Sequence, residues 1–338
     1  TLRRAPVTLS GYIETYYLYD FNKPLNNTRP AFAYAYNRVG EVNVNMGFIK
    51  AAYTDERLRG SLALMTGTYA SANLASEPPV LRNILEAQVG VKISRHTNTW
   101  IDVGVMPSHI GFESAIGRDC DNITRSIMAD NTPYYETGVK LSNQSKNEMW
   151  YFAAFLLNGW QRIQRIDGNT TPAAGTQITY KPSSAWFFNS STFVGNTKPD
   201  SARQWRYFHN FYAVYKPSPH WQFTWGIDCG IEEKPMMRNK YNPWYSGAAV
   251  VRYGVSEKFA IAGRAEYYSD NHNVMVQVRA GQPFRAGSFT LNADYHFLPH
   301  VLWRIEARHM HSDIAVFERS KRNVRDNFFM TTSLSITL

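Results

Sequence analysis

Apolar and polar residues alternate one for one along this chain, in segments of about ten residues that recur from end to end. In residues 85–93 the apolar side chains Leu85, Ala87, Val89, Val91 and Ile93 interleave with Glu86, Gln88, Gly90 and Lys92. Residues 289–297, 41–46 and 301–308 repeat the pattern, the last with charges on its polar face. A strand turns successive side chains to opposite faces, so a period of two predicts β-structure with one apolar and one polar face. A soluble sandwich alternates too, with its polar face outside, and alternation alone does not separate the two cases.

Connection lengths separate them. Short polar turns fall near residues 56, 97, 145, 183, 218, 256 and 299, and a strand, a longer loop and another strand lie between successive turns. Tight turns at one end and long loops at the other are the layout of an outer-membrane barrel. Seven short turns and eight long loops predict sixteen strands, within a range of fourteen to eighteen. Their centres lie near 13, 47, 63, 89, 103, 138, 152, 178, 190, 210, 225, 249, 264, 292, 306 and 332. The fold class expected is all-β: a transmembrane antiparallel up-and-down barrel, with residues 1–338 as one domain. The last strand pattern, residues 328–338, closes on the first and leaves no free edge.

Composition supports this reading. Aromatic residues make up 14% of the 338, yet mean hydropathy is only −0.39. A helical membrane protein needs about 18 consecutive apolar residues. The longest uncharged run, residues 149–160, is shorter and contains Asn158. A polar average with many aromatics suits a barrel with lipid outside, water inside and rings at both interfaces. The chain opens on Thr1-Leu2-Arg3-Arg4 without a signal pattern and is read as a mature, exported form with no lipoprotein cysteine. Cys120 and Cys229 are too few for a disulfide scaffold, and a bridge between them stays open.

The polar parity carries the expected pore-lining residues. They are Glu14, Glu41, Glu86, Lys92, Asp102, Glu136 and Lys140 on the first six strands, and Arg252, Arg264, Glu266, Asp294, Arg304, Glu306 and Arg308 on strands twelve to fifteen. These two sets face each other across a circle of sixteen. Either an acidic wall opposes a basic one and orients solutes, or the charges pair with neighbours on their own wall. The net charge of +9 points to a mild anion preference. The longest loop, residues 110–133, is the third external one. Folded inward, it narrows the pore with Glu113, Arg118, Asp119, Asp121, Arg125 and Asp130; otherwise it packs on the rim. Residues 119–122 offer oxygen ligands but lack the glycine and distal glutamate of a calcium loop, so no metal is expected.

Several stretches resemble a known family. Residues 10–17 (SGYIETYY), 111–114 (GFES), Arg125-Ser126 and residues 131–138 (NTPYYETG) are similar to the OmpL-like β-barrel porins of Bacteroidetes-type bacteria. The resemblance implies a porin barrel over the whole chain, with no catalytic residues. The residues themselves agree: there is no phosphate loop, zinc spacing or nucleophile elbow. His209 and His309 stand on apolar parity, where an outer-wall Ser/His pair would make an enzyme, but no serine with an acid partner can be set beside either. No cofactor is expected, and nucleic acid is not, because the aromatics follow barrel spacing rather than one basic patch.

The expected function is passive diffusion of small polar solutes or ions in the cell outer membrane. The alternative is a barrel scaffold with a plugged lumen, whose loops 158–175 and 232–242, the latter with Lys234, Arg238 and Lys240, dock partners. A soluble glycan binder is a weaker third reading. Expected partners are outer-membrane lipid and lipopolysaccharide, and a homo-oligomer or larger membrane complex.

Overall fold

The computed structural model describes residues 7–278 and 281–338; the opening Thr1-Leu2-Arg3-Arg4 lies outside them. The first eight strands are β1 (Val7–Asp20), β2 (Val42–Thr54), β3 (Leu58–Thr66), β4 (Ile84–Lys92), β5 (Asn98–Pro107), β6 (Tyr135–Gln144), β7 (Trp150–Leu157) and β8 (Ala173–Tyr180). Then come β9 (Trp186–Asn196), β10 (Trp205–Tyr215), β11 (Trp221–Lys234), β12 (Met237–Gly254), β13 (Phe259–Asp270), β14 (Phe284–Leu298) and β15 (Val301–Ser312). A hairpin of β16 (Phe317–Arg319) and β17 (Arg322–Val324) precedes β18 (Asp326–Thr337).

Sixteen of these strands close into one antiparallel barrel, in which β18 pairs with both β15 and β1. Closure gives every ladder a partner on both sides, which a lipid environment demands. All sixteen predicted centres fall inside barrel strands. The β16–β17 hairpin stands apart from the barrel sheet, inside the last long loop. Its three-residue strands are too short for a period to register.

Burial follows the alternation with the inside polar. Val89 is 66% and Leu291 72% exposed, whereas Glu86 is 8% and Arg304 0% exposed. A soluble fold would reverse these values. Exposed rings gather at the short-turn end of the outer wall, where Trp150 stacks on Tyr180, Trp186 on Tyr215, and Trp221 packs on Tyr253. Such rings sit at a membrane–water interface.

The long-loop half of the lumen is not purely polar. Inward residues Leu18, Phe155, Phe193, Phe208, Trp244, Tyr268, Phe284 and Phe329 join loop residues Phe32, Tyr36, Ile123, Ile127, Val276 and Phe317 in one apolar cluster. A second cluster unites Met65, Tyr69, Leu74, Tyr134 and Tyr135. Here the loops fold into the barrel mouth and bury apolar side chains against strands that carry apolar residues on both parities. The segment WYFAAFLL of β7 shows this directly.

Candidate functional site

The third long loop, residues 108–134, enters the lumen and is fixed to its wall. Arg304 on β15 donates to the carbonyls of Gly117 (2.9 Å) and Cys120 (2.8 Å) while its fork holds Asp294. Arg264 on β13 donates to the Thr124 carbonyl (2.7 Å) and to Glu113 (2.9 Å). Arg308 donates to the Arg125 carbonyl (2.8 Å) and pairs with Glu266, which in turn accepts from the Ile127 N–H (2.6 Å). Glu306 accepts from the Thr124 N–H (3.1 Å) and hydroxyl. Ser126 caps the short helix α1 (Ile127–Asp130) by accepting from the Ala129 N–H, and is itself held by Glu113. Ionised groups thus satisfy loop carbonyls and N–H groups that would otherwise be buried without partners.

The loop also touches the neighbouring β10–β11 wall. The Gly111 N–H donates to Asn210 on β10 (3.1 Å), and Gln222 on β11 donates to Asp121 (2.8 Å). Arg118 reaches the short-turn end of the barrel, where it meets the carbonyls of Pro299 (2.6 Å) and His300 (3.2 Å). Gly117 lies against the side-chain ends of Glu14 and Tyr36 so closely that any Cβ there would push them aside.

These contacts reassign several expected pore residues. Arg264, Glu266, Asp294, Arg304, Glu306 and Arg308 face inward, but the loop covers them; they anchor it and do not border water. Glu14 is buried beneath it, accepting from Tyr36 (2.7 Å) and Asn45 (3.1 Å). Glu136 is buried with both carboxylate oxygens unpartnered among the described residues. Glu41 lies just before β2 and pairs with Arg38 at 2.8 Å, at the rim and not on the wall. Lys92 ends β4 beside Arg57 and Arg95 at the short-turn mouth.

Among the expected constriction residues, Arg125 is fully buried, donating to carbonyls of its own loop (Ser114, Ala115, Ile123). Asp130 is buried against the first long loop, accepting from the Ala35 N–H at 3.4 Å; burial, offset by Arg29, Arg308 and Arg125, raises its carboxyl to about 6. Glu113 is bound to Arg264, and Arg118 to the turn described above. Asp119 and Asp121 line an open cavity.

The opposed acidic and basic walls do not form. Asp102 takes Arg59 and Lys140, Glu86 takes Lys50, and each Arg on β13 and β15 has a carboxylate beside it. Arg252 lies 3.7 Å from Asp121. Lys50 and Arg59 escaped the sequence reading, although both stand on the polar parity.

Two cavities flank the loop. One, of about 240 Å³, lies between it and the β3–β6 wall near Met65, Tyr69, Glu86 and Tyr135. The other, of about 290 Å³, lies between it and the β9–β12 wall and is lined by Asp119, Asp121, Phe187, Tyr212, Lys216, Gln222 and Thr224.

Cys120 and Cys229 are both free thiols. Cys120 is buried in the loop, where burial pushes it up to about 11, and Cys229 is on the outer face of β11. The loop after β7 folds in part onto the barrel mouth. Trp160 packs into the apolar cluster, and the Ile163 and Gln164 N–H groups bind Glu77. The 232–242 segment is a hairpin continuous with β11 and β12, and it presents Lys234, Arg238 and Lys240. A serine does stand beside His209: Ser190 Oγ lies 2.9 Å from its Nε2, with no carboxylate bonded to that ring among the described residues. His309 is 3.6 Å from Asp326.

Residues 6–338 match the family described as "Putative beta-barrel porin-2, OmpL-like". The chain belongs to this porin family. No curated protein sequence matches it. Among solved structures this porin resembles an anion-selective porin from Comamonas acidovorans (TM-score 0.65, 9% identity, 99% of this chain and 100% of that one). It also resembles Salmonella typhi OmpF in complex with daunomycin (0.64, 10%, 99% and 98%) and outer-membrane expressed OmpT of Vibrio cholerae (0.62, 8%, 98% and 97%). At such identities the likeness concerns the fold alone. Fold and family together make this porin an outer-membrane barrel.

Proposed function

We propose that the protein is a non-enzymatic channel for passive diffusion of small polar solutes and ions, narrowed along its length by the third external loop. The observation that carries this reading is the loop's bonding to β13 and β15, which leaves a polar cavity between loop and the β9–β12 wall. Ordered long loops in barrels are commonly functional. Lateral charge pairing argues for weak ion selectivity in place of the anion preference that net charge suggests. Purified protein in planar lipid bilayers should insert in steps of small, steady ion conductance. No current would favour a second reading, a plugged barrel serving as a scaffold, which draws support from the two apolar clusters at the long-loop mouth.

The outer wall supports a homo-oligomer in the same membrane. Among the described residues Tyr53 on β2 is the one outward ring from β2 to β6, and it is half-exposed, so β3–β6 present Leu62, Val89 and Val103 without the rings of the remaining wall. A sector lacking an interfacial belt suits contact with another copy better than contact with lipid headgroups. The exposed Arg319, Lys321 and Arg322 of the β16–β17 hairpin suit lipopolysaccharide phosphates.

A further inference from the structure

We propose that the passage beside the third loop takes carbohydrate, whose rings stack on a track formed by Phe112, Tyr212 and Phe187. The inference rests on the channel reading and adds a solute class to it. Ring centroids are 5.9 Å apart from Phe112 to Tyr212 and 5.7 Å from Tyr212 to Phe187. The rings come from the loop, β10 and β9 in turn, and so follow the inner wall.

Three features separate this row from ordinary core packing. The rings are only half-buried, whereas Phe193 and Phe208 higher on the same two strands are buried. Phe112 and Tyr212 line both cavities beside the loop, and Phe187 continues along the larger one, so the row runs from one cavity to the next. The place of Phe112 is also built into the barrel: it lies on Gly226 of β11, where a Cβ would stand 2.5 Å from the ring. Any other residue there would displace it.

The groups beside the track select the solute. Asp121 and Gln222 are hydrogen-bonded to each other at 2.8 Å, and Lys216 and Thr224 line the same cavity. Asp119 and Asp121 are balanced by Lys216 and by Arg252, so the surface is close to neutral and offers both donors and acceptors. Simple ions need no row of rings to pass, and an apolar solute would leave these polar groups unpaired. A sugar presents a C–H face to an aromatic ring and a rim of hydroxyls to carboxylate, amide and ammonium groups. The cavity of about 290 Å³ is at the lower limit of ligand-sized sites, room for one sugar ring at a time.

The test is ion current through single channels with maltotriose added, against poly(ethylene glycol) of matched mass. Maltotriose should interrupt the current saturably and the glycol should not. Tyr212→Ala and Phe187→Ala should each raise the half-blocking concentration about tenfold, and Tyr212→Phe should leave it nearly unchanged. Open-channel current in the same records shows that each variant has folded. Current blocked no better by maltotriose than by glycol, or blocked equally in the alanine variants, overturns the inference while leaving the channel intact. Absence of current in the native protein overturns the channel and the inference with it.

Discussion

Replacing Arg304 by Met should release the middle of the third loop without unfolding the barrel. Arg304 is fully buried and donates to the loop at Gly117 (2.9 Å) and Cys120 (2.8 Å). Its contact with the Asn122 carbonyl, at 3.5 Å, is too long to count for much. Two bonds from a charged donor, at about 1.5–3 kcal/mol each, put the loss near 3–6 kcal/mol. That raises the open population of the segment by roughly two to four powers of ten. The β14–β15 ladder does not pass through this side chain, so the barrel keeps its backbone bonds. The variant also strands Asp294 with Asn292 as its remaining partner, so the double variant Arg304→Met/Asp294→Asn isolates the loop effect from the buried charge. Hydrogen exchange resolved along the chain is the assay. Amides 117–122 should exchange at least a hundredfold faster, while Thr124, held independently by Glu306 and Arg264, and strands β14 and β15 stay protected. Unchanged exchange at 117–122 in the double variant would refute the claim that this arginine holds the loop to the wall.

Other consequences can be checked independently. Asp130 has a carboxyl raised from 3.8 to about 6, chiefly by burial. The folded state therefore binds its proton more tightly than the unfolded state, and stability declines as pH rises through that interval. The thermal midpoint should fall from pH 4 to pH 7 by more in the native protein than in Asp130→Asn; parallel curves would refute this. Leu291→Arg places a cation on the outer wall at a position 72% exposed and should cost about 2–4 kcal/mol in urea unfolding from lipid vesicles. No change would contradict a lipid-facing Leu291. Detergent-extracted protein should have the mass of more than one copy, dispersed to single copies by Leu62→Trp combined with Val89→Trp but not by Ile227→Trp. A single-copy native mass would remove the proposed contact on β3–β6.

The strand frame was legible because lipid and water impose a strict period of two, and every predicted centre lies in a barrel strand. The interior was less so. Arg304 and Glu306 stand on the polar parity, but nothing in their own strand says that a loop more than 180 residues away covers them. Their partners are backbone atoms, which carry no residue signature. Phe187 and Tyr212 were missed because aromatics were expected on the outer wall; within the run Trp186-Phe187-Phe188 parity alone turns the middle ring inward. The apolar mouth had a visible sign in β7, apolar on both parities, which a barrel with a wholly wet lumen would not need. Ser190 and His209 meet through strand register, which fixes neighbours that a single strand pattern cannot pair.

Nitroxide labels tied to single cysteines, in a Cys120→Ser/Cys229→Ser background and in lipid vesicles, test most directly which way the walls face. Labels at Val89 and Leu291 should relax with oxygen dissolved in the bilayer, and labels at Ser61 and Thr224 with a water-soluble nickel complex. Labels at Val89 and Leu291 that respond to nickel and ignore oxygen would contradict an outer wall immersed in hydrocarbon, and the passage drawn inside it.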